Sequence, residues 1–286
     1  MTIGLYGSRR QNNVIELIEQ FLNELLSKKI DVVMHRKLYT HITQELGRPL
    51  APQIRVVADD NFEADLVVSL GGDGTFLRAA AWVGEKEIPI VGVNTGHLGY
   101  LTALPIERLP HLPQMIENDC FLIERRSLIE VTEPNLPFSR FALNEVTVFK
   151  EASASMIRAH VEINGITLAD YHADGLIIST PTGSTAYNLS AGGPIVQPTL
   201  DVVVITPLAP HSLSMRPLVA DSSGCITVVP TGRAPGVRLA LDGRSVEIPA
   251  GTPIRLTRAP FSTLVMQLAS HPFTQALREK LHWGEA

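Results

Sequence analysis

The residues best suited to chemistry lie in Gly71-Gly72-Asp73-Gly74-Thr75, between the apolar run 66–70 and an alanine-rich stretch that ends near Val83. Glycines 71, 72 and 74 let backbone N–H groups approach phosphate oxygens, and a helix beginning at Thr75 presents its positive end to an anion. The loop is not a Walker A loop, because no Gly-Lys-Ser/Thr ending follows. Its one ionisable residue is an acid, Asp73. A carboxylate beside phosphates is repulsive unless it has a task. It can accept a proton from an attacking hydroxyl, or hold Mg²⁺ directly or through water. The combination points to phosphoryl transfer onto a hydroxyl. A plain turn with Asp73 near a helix N-cap explains the same four residues when they are taken alone.

A second segment, Thr180-Pro181-Thr182-Gly183-Ser184-Thr185-Ala186-Tyr187, runs on to Ser190-Ala191-Gly192-Gly193-Pro194 and follows Asp174-Gly175 and an apolar strand at 176–178. Six hydroxyl-bearing residues fall within the eleven positions 180–190. They offer neutral donors suited to a diphosphate and to ribose hydroxyls. Tyr187 adds a flat face for a base. An ordinary Ser/Thr/Gly loop anchored in the core by Tyr187 is the competing account. Third, Asn144-Glu145 lies inside a strand-like stretch at 141–149. Asn can make paired hydrogen bonds to an adenine edge and Glu can bind ribose hydroxyls, although an exposed strand edge explains the pair equally well.

The nine histidines say little. His35, His41, His111 and His160 read as surface or satisfied structural residues, whereas His97, in Gly96-His97-Leu98-Gly99-Tyr100, follows a strand and falls where a cleft would open. Ser184 is not in a Gly-x-Ser-x-Gly elbow, which argues against a hydrolase. Arg9 and Arg10, after the first strand, are placed either to steady phosphates or to face solvent.

The elements that must position these segments follow from pattern. Over the first 120 residues short strands alternate with helical stretches. Strands are expected at 3–6, 32–34, 66–70 and 88–94. Val14, Leu17, Ile18, Phe21, Leu22 and Leu25 share one helical face, and Ile106, Leu109, Leu112 and Ile116 share another. Such alternation implies an open, Rossmann-like parallel sheet covered on both faces. From Phe121 to Ala269 strands follow one another. Asn164-Gly165 and Asp242-Gly243 sit between strand pairs as two-residue hairpin turns, and separate strands are expected at 254–257 and 263–268. The tail carries Phe273, Ala276, Leu277 and Leu281 at helical spacing. The expected division is an α/β domain at 1–120, a β-rich sandwich at 121–270 and a helix at 271–286 that packs back on the first domain. At 286 residues two domains are natural.

Composition narrows the function classes. With 45% apolar and 19% charged residues the chain is globular. No apolar run approaches the roughly 18 residues of a membrane span, and the first residues read as a strand rather than a signal peptide. Cys120 and Cys225 have neither a disulfide framework nor metal-ligand spacing, which points to a reducing, cytoplasmic setting. A net charge of −5 disfavours nucleic acid as a partner.

Taken together, the segments resemble the NAD kinase family, the ATP-NAD kinases. The matching stretches are 71–75, 94–100, Asn144-Glu145, Asp174-Gly175-Leu176 running into 180–187 and 190–194, Pro210-His211-Ser212-Leu213 leading to Arg216-Pro217-Leu218, and Asp242-Gly243. They cover about residues 3 to 273, in the family's order. The Gly-Gly-Asp-Gly loop alone is shared with lipid kinases and phosphofructokinases, but the hydroxyl-rich loop argues against an apolar acceptor. The resemblance implies transfer of the terminal phosphate of ATP to the adenosine ribose 2′-hydroxyl of NAD, with a site between the two domains. It makes Asp73 the general base, beside Gly71, Gly72 and Gly74 of the phosphate loop. It assigns dinucleotide binding to Asp73, Gly74, Asn144, Glu145, Ser155, His172, Asp174, Thr185, Ala186, Tyr187, Asn188, Leu189, Ser190, Ala209 and Arg244. Mg²⁺ or another divalent ion is implied as the metal of the triphosphate, and a homodimer or homotetramer as the assembly. His172 stands at a position that the family links to the choice between NAD and NADH.

Overall fold

The computed structural model describes residues 1–7, 14–96, 99–151 and 155–282, and divides into two units, 1–125 with 263–286, and 126–262. Arg9, Arg10, His97 and Leu98 lie outside the described residues.

In the first unit, β1 (Thr2–Gly7), β2 (Asp31–His35), β3 (Arg55–Val57), β4 (Leu66–Leu70), β5 (Ile90–Asn94) and β6 (Leu104–Pro105) form a parallel sheet in the order β6-β5-β4-β1-β2-β3. β4 and β5 are buried at every position, as expected for strands with covered faces. The connecting helices are α1 (Ile15–Ser27), α2 (Arg36–Leu46), α3 (Asp73–Val83) and the short α4 (Leu112–Glu117). α1 buries Ile15, Ile18, Phe21, Leu22 and Leu25, the face its spacing marks out. α2 was not foreseen. Only Leu38, His41 and Ile42 of its eleven residues are buried, too few for a clear periodic signal. Its ends are well marked: the His35 ring accepts from the Lys37 N–H at 3.2 Å, and Gly47 closes it in the left-handed region.

The second unit is a β-sandwich. One sheet runs β14-β13-β12-β9-β16-β17, all antiparallel: β9 (Glu145–Lys150), β12 (Gly175–Ser179), β13 (Val202–Leu208), β14 (Leu218–Asp221), β16 (Gly236–Leu241) and β17 (Arg244–Pro249). Across the core, β10 (Ile157–Ile163) joins β11 (Ile166–Ala173) to β15 (Ile226–Thr231). β7 (Phe121–Glu133) enters this unit and pairs with β8 (Phe141–Ala142). Both expected hairpin turns are present, with Asn164 and Asp242 at positive φ. The segment 182–190 coils through a 3₁₀ turn into the one-turn helix α5 (Tyr187–Ser190).

Two strands expected at 254–257 and 263–268 are one, β18 (Ile254–Leu268). Its first residues pair with β15 in the second unit, and Val265 and Met266 pair with β5 in the first. Residues 263–268, expected with the β-rich half, therefore group with the α/β half. Helix α6 (Phe273–Leu281) follows and buries Ala276 and Leu277 within the first unit. Among the described residues no helix is long and apolar enough to cross a membrane.

One close approach in the first unit is testable. A Cβ on Gly92, in the middle of β5, would collide with the carbonyl oxygen of Leu101 and crowd the Thr102 backbone. The obstruction is backbone, which cannot swing aside. Gly92→Ala is therefore expected to lower the unfolding free energy by about 1–3 kcal/mol, the usual scale of overpacking. Urea denaturation measures it, and an unchanged midpoint would show that residues 101–102 are not pressed against β5.

Candidate active site

In the first unit the chain leaves β4 at Leu70 and enters α3 at Asp73, with Gly72 as N-cap. The Gly71 N–H donates to Val93 O at 2.9 Å, which ties the loop to the end of β5. The backbone at 71–74 therefore lies at the carboxyl ends of parallel strands and at a helix N-terminus, the place where open α/β sheets bind anions. Gly72 and Gly74 are exposed and Asp73 is half-buried.

The Asp73 carboxylate is held by the chain that follows β5. Oδ2 accepts from the Tyr100 N–H at 2.8 Å, and Oδ1 accepts from the Leu101 N–H and the Thr102 hydroxyl, both at 3.0 Å. A Cβ on Gly99 would strike Oδ1, so only glycine permits this approach. A carboxylate has about four acceptor positions, and three are engaged here, which leaves roughly one for an incoming hydroxyl. The geometry fixes the orientation of the side chain and still allows it to take a proton.

The second unit builds its own cluster around Asp242, at the β16–β17 turn. The buried Asp242 carboxylate accepts from three successive backbone N–H groups, those of Leu143 at 2.8 Å, Asn144 at 2.9 Å and Glu145 at 3.2 Å. Burial raises its pKa, while those three donors and Arg244 act the other way. Behind this clamp, Asn144 Oδ1 and Glu145 Oε2 are buried with no hydrogen-bond partner among the described residues. Buried polar atoms are nearly always satisfied, so two adjacent exceptions point to a ligand that satisfies them. Burial, then the Asp242 charge, pushes the Glu145 carboxyl up to about 7, against an opposing bond from the Tyr187 backbone.

The loop after β12 is stitched to the same place. Thr180 N–H donates to Asn144 O at 2.8 Å, and the Thr180 hydroxyl donates to Leu143 O at 2.6 Å. Ser184 is buried and bonded through its hydroxyl to the Val196 backbone. Asn188 is fully buried: its amide donates to Ser184 O and Pro194 O, and its oxygen accepts from Thr206. These side chains shape the loop, and their polar groups are committed to it. Thr185, Tyr187 and Ser190 remain partly or fully exposed, Tyr187 at 48%. Arg244 is spent on the carbonyls of Leu241, Ser139 and Phe141.

His172, Asp174 and Ala209 form a separate group. His211 N–H bonds His172 O and Asp174 N–H bonds Leu208 O, each at 2.9 Å, and Asp174 pairs with Lys150 at 2.7 Å. Gly175 pairs with Phe149 and Ser179 with Glu145, so this group and Glu145 sit at opposite ends of β12, roughly 14 Å apart at about 3.4 Å per residue. Ser155 is half-buried just before β10. Asp242 is the residue whose role sequence reasoning missed: its place in a hairpin turn already accounted for it. Of the three donors from residues 100–102, those of Tyr100 and Leu101 are backbone and leave no mark on residue type, and the third is the Thr102 hydroxyl.

Among the described residues there is no group of three or more His, Cys, Asp or Glu able to hold a metal ion. Mg²⁺ tends to keep several waters and to bind through substrate phosphates with one or two carboxylates, and the single carboxylate of the loop, Asp73, fits that mode.

Two family models cover most of the chain: the ATP-NAD kinase N-terminal domain matches residues 3–119 and the ATP-NAD kinase C-terminal domain matches residues 143–268. The chain belongs to the ATP-NAD kinase family. It is 41% identical over 285 residues to the NAD kinase of Porphyromonas gingivalis, covering 99% of this chain and 98% of that one. It is 42% identical over 255 residues to the NAD kinase of Geobacter sulfurreducens, covering 87% and 90%. The fold is similar to that of yeast NADH kinase crystallised with NADH, with a TM-score of 0.88, 23% identity and coverage of 100% of this chain and 88% of that one. It is also similar to an NAD kinase from Archaeoglobus fulgidus in complex with ATP, with a TM-score of 0.76, 24% identity and 99% coverage of each. As a member of this family the chain is a phosphotransferase of two parts, an α/β domain with a parallel sheet and a β-sandwich domain.

The raised Glu145 pKa has a consequence for stability. The carboxyl titrates near 7 in the folded protein against an ordinary 4.5, so folding takes up a proton between those values. The contribution is fully present below the unfolded pKa and is lost as pH rises through the folded one. Glu145→Gln keeps the shape without the charge. Relative to the unaltered protein, the variant is expected to gain on the order of 2–3 kcal/mol between about pH 5 and about pH 8.5. Chemical denaturation at the two pH values checks this; a constant difference would mean that the buried carboxylate ionises without penalty.

Proposed function

We propose that the protein transfers the γ-phosphoryl group of MgATP to the 2′-hydroxyl of the adenosine ribose of NAD, giving NADP and ADP. The observation that carries this reading is the Asp73 carboxylate, fixed at the head of α3 beside exposed loop glycines with one acceptor position left open. The bond from the 2′-oxygen to the γ-phosphorus forms as the bridge to the β-phosphate breaks. The hydroxyl proton passes to Asp73, and ADP leaves with the bridging oxygen. Backbone N–H groups at 72–74 and the positive end of α3 face the phosphates. Mg²⁺, carried by the triphosphate, neutralises part of its charge.

The second unit supports a dinucleotide as the acceptor. Asn144 Oδ1 is suited to an adenine amino group and Glu145 Oε2 to a ribose hydroxyl, since each is a buried acceptor awaiting a donor. The exposed ring of Tyr187 offers a stacking face. His172, Asp174 and Ala209 lie at the far end of β12 from Glu145, and that separation supports a homo-oligomeric enzyme in which this stretch serves a neighbouring subunit's dinucleotide. Ser155 is assigned to that site by the family resemblance alone, whereas Arg244, whose donors hold the carbonyls of residues 139, 141 and 241, serves as a brace beside Asp242. Free Cys120 and Cys225 support a cytoplasmic setting.

The direct test is NADP formation from NAD, ATP and Mg²⁺; no turnover would overturn the assignment. Asp73→Asn is expected to cut kcat by at least about 10²-fold, the scale of a positioned proton acceptor, with NAD affinity changed far less. A near-normal kcat would leave Asp73 as a brace for residues 100–102 only. Asn144→Ala is expected to weaken NAD binding by roughly 1–3 kcal/mol with ATP binding nearly unaffected. Equal weakening of both substrates would point to damage of the fold.

A further inference from the structure

The glycine-rich loop brings a carboxylate next to a polyanion and has no cation of its own. Arg78, one turn further along α3, is turned toward Thr75 at 3.1 Å and toward Tyr6. Its guanidinium also lies 3.9 Å from where a Gly74 Cβ would stand, so Arg78 is one cation beside the loop. Helix α6 carries another. It is anchored through Ala276 and Leu277, and the half-buried Lys280 places its Nζ 4.2 Å from the centre of the Tyr100 ring. Tyr100 is the residue whose N–H binds Asp73 Oδ2 at 2.8 Å. The Phe273 ring lies 6.5 Å from that of Tyr100, and the Gln267 amide donates to the Tyr100 backbone carbonyl at 3.4 Å. Lys280 makes no ion pair among the described residues. Burial lowers its pKa, and the Asp73 charge acts against that lowering, so the two groups feel each other's field.

We propose that Lys280 is a positioning residue for phosphoryl transfer: seated on the Tyr100 ring, it supplies the positive charge that lets the Asp73 carboxylate and the phosphates of the nucleotide occupy one site. The ammonium of the lysine sits over an aromatic face, an arrangement that holds a flexible cation in one place without an acid to neutralise it. The unspent charge is then available to the nucleotide's phosphates, and the like-charge repulsion that a lone carboxylate would impose is offset. The inference rests on the kinase reading above and adds to it a role for the C-terminal helix.

The test uses the full-length chain with Lys280→Gln and Lys280→Arg. Glutamine keeps most of the stem and removes the charge, whereas arginine keeps the charge and the ring contact. With Gln, kcat/KM for ATP is expected to fall at least about tenfold and to lose part of its dependence on salt. The Kd for NAD, measured by calorimetry, is expected to stay within about twofold, because that ligand meets Lys280 only through the reacting end. Arg is expected to restore at least about half of kcat/KM for ATP. Thermal unfolding of both variants reports whether α6 remains docked. Near-normal kcat/KM with Gln overturns the proposal, as does an equal loss with Gln and Arg, or a loss that tracks a fall in melting temperature. Absence of NADP formation by the unaltered protein would instead fail the kinase reading; an active parent with an equally active Gln variant fails the Lys280 proposal alone.

Discussion

Three donors from residues 100–102 converge on the Asp73 carboxylate, and the arrangement of the first unit's site depends on that contact. It joins two loops at the ends of adjacent parallel strands, one after β4 and one after β5. It sets the direction of the single acceptor position that remains. It also explains two glycines by different routes: Gly99 admits the carboxylate, and Gly92 admits the Leu101 backbone beneath it. The carboxylate is thus a structural keystone and a chemical group at once, which is why substitutions there separate geometry from proton transfer only when the replacement is isosteric.

The second unit uses the same device with different partners. Asp242 gathers the N–H groups of residues 143–145, as Asp73 gathers those of residues 100 and 101. In each case a buried or half-buried carboxylate compensates for its own desolvation by taking several backbone donors. The difference lies in what is left unsatisfied. Asp73 keeps its own spare acceptor, whereas Asp242 uses its acceptors to hold neighbours, Asn144 and Glu145, whose side-chain oxygens are the unpaired ones.

Legibility from sequence followed the strength of the local pattern. The mostly apolar β4 and β5, the periodic face of α1 and the two hairpin turns were readable because each rests on residue type at fixed spacing. α2 was not readable, since its buried face is only three residues wide and one of them is a histidine. β18 was read as two strands, 254–257 and 263–268; the strand continues through Ala259-Pro260 between them. The Gly-Gly-Asp-Gly loop and Asn144-Glu145 stood out as chemistry. The division of labour in the hydroxyl-rich loop did not: Thr180, Ser184 and Asn188 look like ligand groups in sequence, and only their burial and bonding show that they build the loop. Asp242 was hidden for the converse reason, since a turn explained it fully.

The path of β18 has a consequence for how the protein is made. The sheet of the first unit takes its last strand from residues 265–266, and its last helix from residues 273–281, after the whole sandwich has been threaded through. A chain emerging from the ribosome exposes β1 to β6 early, yet the strand that lies beside β5 arrives roughly 140 residues after residue 125, about 7–30 s later at usual synthesis rates. Domains that are continuous in sequence can close as they emerge. This one must wait with part of the edge of its sheet open, so the sandwich is complete before the α/β half is, and residues 265–281 finish a fold that the first 125 began.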